Sequence, residues 1–245
     1  MGTPTLLEIA EAPGALVTPR HPRVVVGDGW VFVPAMPTLG AVQQIRLAPS
    51  RLEAAREEIR AVAAEHDLPE VGWWQSPLSE PPDVGARLGL EHRETLTVLT
   101  LDHAVDDPAA FDVREVETFD DYLAAQTIDA IANGWPAWTD REGQESMWSA
   151  SRERFVIWLA LEEGTPIGMA RCAIAPGAMV MIGGSVLPEA RGRGAYRTLV
   201  AERWRATEAR GLRALVTSAN DQSRPILERV GFERIGEIEI WVDRV

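Results

Sequence analysis

The sequence predicts an α/β protein of two units, residues 1–108 and 109–245, from three observations. Short runs rich in apolar and β-branched residues alternate with longer segments whose apolar residues recur at three- and four-residue steps, the spacing of an amphipathic helix. Glycine and proline mark the boundaries between them. The order strand, long helix, short strand, short helix, strand occurs twice. We therefore expect the first unit to be a smaller, degenerate copy of the second.

In the first unit, residues 23–33 form two β-rich runs joined by Gly27-Asp28-Gly29, which is typical of a hairpin. Ser50 followed by Glu53 predicts a capping box at the start of a long helix, and Pro69 lies just beyond the end of that helix. A strand at 71–75, a short helix at 81–88 and a strand at 95–101 follow, before a linker at 106–108.

The second unit begins with a strand at 113–116 and a helix that Thr118 or Asp120 caps and Asn133-Gly134 ends. The later elements are a helix at 144–152, paired strands at 155–161 and 167–174, an apolar strand through 178–187, a helix ended by Arg210-Gly211, a strand at 215–220 and a short helix at 223–231. Arg229-Val-Gly-Phe-Glu233, before its last strand, matches Arg87-Leu-Gly-Leu-Glu91 in the first unit. This match supports the repeat.

The turn from Ser185 to Arg197 organises the second unit, because it joins a buried strand to an amphipathic helix. Gly192 and Gly194 allow the backbone to approach a ligand that a Cβ atom would keep away. Backbone N–H groups at such a helix start, together with the positive end of the helix dipole, favour an anion. The turn therefore predicts a phosphate site, although an ordinary corner with solvated arginines has the same local pattern.

Two common phosphate motifs do not match this turn. The chain contains no lysine, which the Walker motif requires, and Gly-x-Gly-x-x-Gly fails because Arg197 stands at its last position. The stretch instead resembles the acetyl-CoA loop of the GNAT superfamily of N-acetyltransferases, with Arg191, Gly192, Arg193 and Gly194 matching Arg-x-x-Gly in place. Tyr196 departs from the small residue of that motif. The resemblance continues through 215–220 and 223–232.

The resemblance implies a mixed, mostly antiparallel twisted sheet flanked by helices and an acetyl-CoA co-substrate. It implies acetyl transfer to a primary amine of a small molecule or peptide, with no covalent enzyme intermediate. Implied cofactor-binding residues are Val186 and Leu187 at the pantetheine arm, Arg191, Gly192, Arg193, Gly194, Ala195, Tyr196 and Arg197 at the pyrophosphate, and Asn220 and Ser223 further along. A turn-forming asparagine and a helix-capping serine are equally consistent with the last two.

Catalytic groups are less clearly marked. Many members of the family have a tyrosine where this chain has Leu227, so solvent or Ser223 is left to protonate the thiolate. Asp140 and Glu142 lie in the region that forms the acceptor wall in many members, and either is a candidate base, although solvated loop carboxylates are an equally ordinary interpretation. Trp135 and Trp138 are candidates to line an acceptor pocket, with packing on the sheet as the alternative.

Composition narrows the partners. A formal net charge of −13 argues against nucleic-acid and anionic-membrane binding. Seven arginines lie between residues 191 and 213 against only Glu202 and Glu208, which suits a polyanionic cofactor. The acidic remainder favours a cationic amine, or only keeps the protein soluble. Cys172 is the only cysteine and no histidine pair has metal-ligand spacing, so we expect no disulfide and no metal.

No membrane-spanning run or secretory signal is evident, so we expect a cytoplasmic protein, either a monomer or a homodimer. In the first unit the stretch at 36–50 lacks Arg-x-x-Gly and should bind no cofactor. Two other hypotheses stay open besides an active enzyme. One is an acetyl-CoA-binding module that has lost its chemistry, and the other is a scaffold that uses the fold for interaction.

Overall fold

The computed structural model describes residues 3–17, 24–36, 39–107, 111–137 and 139–245. Two compact units divide the chain: unit 1 comprises residues 1–100 with 216–245, and unit 2 comprises residues 101–215. Unit 1 is therefore discontinuous in sequence. The predicted domains, 1–108 and 109–245, refer to a repeat along the chain, which compactness does not test, so that division stays a prediction.

Helices and strands alternate as the sequence predicts. The helices are α1 (Leu6–Glu11), α2 (Pro13–Val17), α3 (Leu52–Glu65), α4 (Val84–Arg87), α5 (Phe119–Asn133), α6 (Arg141–Arg152), α7 (Ala195–Ala209) and α8 (Arg224–Val230). The strands are β1 (Val25–Gly27), β2 (Trp30–Met36), β3 (Leu39–Gln43), β4 (Glu70–Gln75), β5 (Glu91–Leu101), β6 (Asp112–Glu115), β7 (Phe155–Glu162), β8 (Thr165–Ala175), β9 (Ala178–Val186), β10 (Leu215–Ala219) and β11 (Glu233–Arg244). No helix in these ranges is long and apolar enough to cross a membrane.

The sheet of unit 1 has the strand order β1-β2-β3-β4-β11-β5-β10, with β10 contributing residues 216–219. Strands β3 and β4 are parallel, and the pairs β1–β2, β2–β3, β4–β11 and β11–β5 are antiparallel. Strand β11, the last of the chain, thus lies between two strands of the first hundred residues. Turn residues 28–29 join β1 to β2, which confirms the predicted hairpin.

Helix α3 covers the core of unit 1 with the apolar stripe that the sequence predicts. Its buried residues are Leu52, Ala55, Ile59 and Ala63, and they belong to one cluster with Phe32 and Trp73 on the sheet. The predicted capping box at Ser50 is wrong. Residues Pro49–Arg51 form a 3₁₀ turn instead, and α3 begins at Leu52 without a side-chain cap.

Two arginines of α3 also fix the helix to β11. The Asp243 carboxylate, whose side chain is 2% exposed, accepts hydrogen bonds from Arg56 at 2.7 and 2.9 Å and from Arg60 at 2.8 and 3.0 Å. A buried carboxylate is tolerated when charged donors saturate its lone pairs, as they do here. These bonds join the first hundred residues of the chain to its C-terminal strand.

The repeat seen in the sequence has a structural counterpart in unit 1. In each copy a short helix, α4 or α8, ends at a left-handed glycine, Gly89 (φ 60°) or Gly231 (φ 118°), and a long strand follows. The strands β5 and β11 pair antiparallel, with Glu91 opposite Val242 and Glu233 opposite Thr100. A shift of 142 residues exchanges these two pairs, so the ladder has local two-fold symmetry.

Unit 2 contains an antiparallel sheet of order β9-β8-β7-β6. Helix α5 packs on it through Tyr122, Ala125 and Ile128, and α7 packs on β7, β8 and β9. Thr118 caps α5 by accepting from the Asp121 N–H group, which decides between the two predicted caps, and Gly134 ends the helix at φ 69°. The mixed, mostly antiparallel sheet flanked by helices is thus the predicted fold class.

Strand β9 carries a β-bulge in its second half. Arg171 of β8 pairs with Gly183 and Cys172 pairs with Met181, which leaves Ile182 as the extra residue. A bulge bends its strand and increases the local twist. The residues that follow, 183–185, are only half-buried, so this face of the strand is accessible.

Candidate active site

The turn between β9 and α7 has the backbone that its glycines predict. After a 3₁₀ turn at Pro188–Ala190, Gly192 adopts φ 76° and Gly194 adopts φ 100°, both in the left-handed region. A Cβ atom built on Gly192 would meet nothing within 4 Å. Glycine is therefore needed at that position for the backbone conformation and for open space above it, not for packing inside the protein.

The N-terminus of α7 has no cap from the protein. Gly194 is its N-cap, no side chain accepts from its first turn, and that turn contains no acidic residue. Helix α5 is the opposite case, with the Thr118 cap and both Asp120 and Asp121 in the first turn. The first N–H groups of α7 thus remain available, and the helix dipole favours negative charge beside them.

Positive charge flanks this turn. Arg191 donates from Nε to the Val186 carbonyl at 3.2 Å and from Nη2 to the Ala132 carbonyl at 3.0 Å. Arg197 donates to the Asp106 carbonyl at 2.6 Å. Since these acceptors are neutral, both guanidinium groups keep their charge, whereas Arg193 pairs with Glu162 at 2.8 Å.

Two predicted cofactor positions have further contacts within unit 2. The Leu187 N–H group donates to Ile167 at 2.9 Å and its carbonyl accepts from Ala190, so Leu187 is already engaged in the fold. Tyr196 lies on the inner face of α7, where the Arg203 guanidinium carbon is 5.9 Å from its ring centroid. The Tyr196 ring thus has the packing role that its place on the apolar stripe predicts.

Sequence reasoning missed Arg203 itself. The residue is 0% exposed, and its Nη2 atom donates to the Gly183 carbonyl beside the bulge at 3.0 Å. Its Nε and Nη1 atoms have no hydrogen-bond partner among the described residues. The sequence marked Arg203 only as one member of an arginine-rich helix, because one-dimensional patterns do not separate a buried cation from an exposed one.

A polar cluster between α5 and β9 was missed as well. The Ser185 hydroxyl donates to Asp129 Oδ1 at 2.6 Å, and the Asn133 amide donates to the same oxygen at 3.1 Å. Gln126, one turn earlier, accepts from Arg171 at 2.6 Å. The three- and four-residue spacing of Gln126, Asp129 and Asn133 along the predicted helix is the signal that could have found this polar stripe.

The predicted acidic and aromatic candidates lie on the surface of unit 2. Asp140 is the N-cap residue of α6 but makes no side-chain cap, and Glu142 is exposed in the first turn of that helix. Trp135 is 58% exposed. Trp138 lies outside the described residues. No hydrogen bond joins the side chains of Asp140, Glu142 or Trp135 to the turn before α7 in the described structure.

Asn220 and Ser223 belong to unit 1 and form a turn between β10 and α8. Asn220 Oδ1 accepts from the Gln222 N–H at 3.1 Å, the Ser223 N–H at 3.0 Å and the Ser223 hydroxyl at 3.1 Å. The asparagine therefore does shape the turn, as the structural alternative holds. Leu227 lies on α8 and is 2% exposed, so an apolar group occupies the position that is tyrosine in many relatives.

Comparison with known proteins identifies the fold and its family. The sequence model of the acetyltransferase (GNAT) family matches residues 117–232. A GCN5-related N-acetyltransferase from Kribbella flavida is 18% identical with a TM-score of 0.73, over 98% of this chain and 96% of that chain. A GCN5-related N-acetyltransferase from Sphaerobacter thermophilus is 15% identical with a TM-score of 0.65, over 88% and 76% of the two chains.

A tandem GNAT protein from the clavulanic acid biosynthesis pathway is 18% identical with a TM-score of 0.62, over 88% of this chain and 78% of that chain. No curated protein matched the sequence. Residues 117–232 thus form a domain of the GNAT acetyltransferase family, which confirms the resemblance. The family supports acetyl transfer in general as the activity.

Proposed function

We propose that the protein transfers an acetyl group from acetyl-CoA directly to a primary amine of a small molecule or peptide. The observation that carries the proposal is the uncapped, glycine-built N-terminus of α7 between Arg191 and Arg197. It lies inside the part of the chain that the GNAT family model matches. Free N–H groups, a helix dipole and two cations with no carboxylate partner suit a pyrophosphate.

In this proposal residues 191–197 hold the pyrophosphate, and the backbone at Val186 meets the pantetheine arm. Asn220 and Ser223 contact the cofactor further along. No group of three or more His, Cys, Asp or Glu side chains that could hold a metal ion occurs in the described part of the chain. The proposed chemistry accordingly uses protein groups and solvent alone.

Acetyl transfer needs a neutral amine that attacks the thioester carbonyl, after which the carbon–sulfur bond breaks and the amine loses a proton. Asp129 joins Asp140 and Glu142 as a candidate for the proton acceptor. We favour Asp129 because Ser185 and Asn133 fix its carboxylate beside Val186, the proposed pantetheine contact. Leu227 cannot protonate the departing thiolate, so solvent or the Ser223 hydroxyl must supply that proton.

Thiol release from acetyl-CoA in the presence of a panel of primary amines tests the activity. We expect amine-dependent release of free CoA, lost in Asp129→Asn with acetyl-CoA binding retained. A matched control is Asp120→Asn, an acidic residue in the first turn of the same helix. If the protein binds acetyl-CoA and none of the amines elicits thiol release, the proposal of catalysis is wrong.

A second candidate, an acetyl-CoA-binding module without chemistry, is favoured by one specific observation. The buried Leu227 removes the proton donor that many relatives carry at this position. Binding of acetyl-CoA without turnover would support this second function.

A further inference from the structure

Unit 1 contains a cavity of about 560 Å³ where β5 and β11 meet the turn that follows β10. Thr97 and Glu237 stand directly opposite each other in the β5–β11 ladder, and both line it. Asn220 and Asp221 line it from the turn. All the lining residues lie within unit 1, so the cavity is a feature of that unit alone.

The local two-fold symmetry of the ladder shows that this cavity is not a general consequence of the fold. The shift of 142 residues places Gly236 at the position equivalent to Glu94, which lines the cavity. A Cβ atom on Gly236 would lie 3.1 Å from Leu7 Cδ1 of α1 and 3.8 Å from Pro77 Cγ. Apolar side chains therefore fill the equivalent position in the other copy.

A second pair of equivalent positions shows the same contrast. Glu239 is the counterpart of Thr97, and its carboxylate accepts from Gln75 at 2.6 Å and from Trp241 at 3.2 Å. Thr97 is 6% exposed and lines the cavity, and its hydroxyl has no hydrogen-bond partner among the described residues. A buried hydroxyl without a partner is costly unless a ligand or water satisfies it. One copy is thus closed by internal bonds, and the other is left open around a polar group.

The lining is hydrophilic. It contains no aliphatic side chain and no Phe, Tyr or Trp among the described residues, and it offers threonine hydroxyls, amides and carboxylates. Specific apolar ligands need an apolar wall, which this cavity lacks. A ligand that carries several hydroxyl groups can exchange its water hydrogen bonds for bonds to Thr95, Thr97 and Asn220.

Ion pairs decide the charge that the ligand must carry. Arg93 is neutralised by Glu70 at 2.8 Å, Arg224 faces Asp221 at 3.5 Å, and Glu237 pairs with Arg234 at 2.8 Å. Glu94 has no ion-pair partner in the described structure. The charge left over at the cavity is therefore a carboxylate, which attracts a cation.

We propose that this cavity binds the acceptor, a small hydrophilic primary amine that carries hydroxyl groups. The Glu94 carboxylate holds its ammonium group, and Thr97, Thr95 and Asn220 bind its hydroxyl groups. This inference rests on the proposed acetyltransferase function for the role of the amine, while the binding itself can be measured without acetyl-CoA. The cavity therefore selects hydroxylated amines against aromatic ones.

Ligand-observed NMR on the whole protein tests the binding with three probes: glucosamine, glucose and phenethylamine. We expect glucosamine to bind, and the other two to bind at least about tenfold more weakly because one lacks the cation and the other lacks the hydroxyl groups. Glu94→Gln and Thr97→Val should each weaken glucosamine binding by about tenfold. The matched control is Glu91→Gln, an exposed residue of the same strand that does not line the cavity.

Kinetics separate this inference from the proposed function. With an amine that is turned over, Glu94→Gln and Thr97→Val should raise the KM for the amine and leave the Kd for acetyl-CoA unchanged. Glucosamine binding that Glu94→Gln weakens supports the cavity even if no turnover occurs, in which case only the proposed function fails. Unchanged glucosamine binding in both variants overturns the inference, as does a preference for phenethylamine or an effect on acetyl-CoA affinity alone.

Discussion

The strand-to-helix turns before α3 and α7 occupy equivalent places in the repeated order of elements, yet only one is built for an anion. Before α3, Pro49 removes one N–H group, a 3₁₀ turn replaces the loop, and Glu53 puts a negative charge in the first helical turn. Before α7, Gly192 and Gly194 open the backbone, and no acidic residue or side-chain cap intervenes.

The comparison teaches that the helix and its core are conserved requirements of packing, whereas the phosphate site depends on a few residues of one turn. Helix α3 keeps a fully apolar buried stripe and still lacks every feature of an anion site. Function on this fold is thus lost by changes in the turn, without loss of the surrounding structure.

Introducing a negative charge into the turn before α7 should have the largest effect. We expect Gly194→Glu to weaken acetyl-CoA binding by on the order of 100-fold, because a carboxylate then competes for the helix N-terminus and repels the pyrophosphate. Isothermal calorimetry measures the affinity. Gly211→Glu is the matched control, since Gly211 also has positive φ (65°) and follows the opposite end of the same helix.

The control variant should fold and bind acetyl-CoA as the parent protein does. Equal affinity in the two variants would contradict the assignment of the phosphate site to this turn. The corresponding change in the other copy, Glu53→Gln, should leave acetyl-CoA affinity unchanged, because the turn before α3 takes no part in binding.

Removing the carboxylate that fixes α3 to β11 should reduce stability. Asp243→Asn leaves Arg56 and Arg60 without their shared acceptor, and we expect a loss of about 3 kcal/mol in the free energy of unfolding, the low end for a broken buried pair because both arginines are partly exposed. Urea denaturation measures it. Asp102→Asn, at a largely exposed side chain, is the control.

The same carboxylate predicts a pH dependence. Burial raises the pKa of Asp243, but the hydrogen bonds and charges of Arg56 and Arg60 outweigh it and hold the pKa below its ordinary value of 3.8. A lowered folded-state pKa means that the stabilisation is complete above pH 3.8 and disappears as the pH falls through the folded-state value. The stability difference between parent and Asp243→Asn should therefore shrink below that pH. A difference that grows on acidification would contradict the assignment.

Helix α7 has no such carboxylate for its buried arginine, and this contrast gives a smaller expected effect. Arg203→Met removes a cation with two unpaired nitrogen atoms, so the desolvation recovered should offset the lost bond to Gly183 to within about 1 kcal/mol. Gly184→Ala should cost about 2 kcal/mol, since its Cβ would lie 2.3 Å from Arg203 Nη2. In the double variant most of that cost should disappear. Additive costs in urea denaturation would contradict the account.

The smallest effect is expected at Cys172. Burial raises the pKa of this thiol to about 11 despite the nearby charges of Arg203 and Arg210, so little thiolate forms near neutral pH. Ellman's reagent at pH 8 should leave the native thiol unmodified and react with one thiol per chain after unfolding in urea. Rapid reaction of the native protein would show that the β8 core is open.

Local patterns predicted most elements because their causes are local. The stripe of α3, the Gly211 end of α7 (φ 65°) and the Gly192–Gly194 turn follow from spacing and from backbone freedom. The place of β11 beside β4 was not predictable, because strand pairing across more than 150 residues leaves no local signature. The same holds for the bulge at Ile182.

The candidate site divides in the same way. Its glycines and flanking arginines were predictable, since the motif is contiguous. The bond between Ser185 and Asp129 was not, because it joins residues 56 positions apart. Ser50 shows the opposite error, since its capping pattern is present in the sequence but the 3₁₀ turn at Pro49–Arg51 places it outside the helix start.

Calorimetric titration of the parent protein with acetyl-CoA and with S-acetylpantetheine tests the central claim most directly, because the second ligand lacks the pyrophosphate. The account predicts saturable binding of acetyl-CoA and binding of S-acetylpantetheine weaker by on the order of 100-fold, as expected when the phosphates dock at the α7 N-terminus. Equal affinity for the two ligands, or no binding of acetyl-CoA at millimolar concentration, would contradict it.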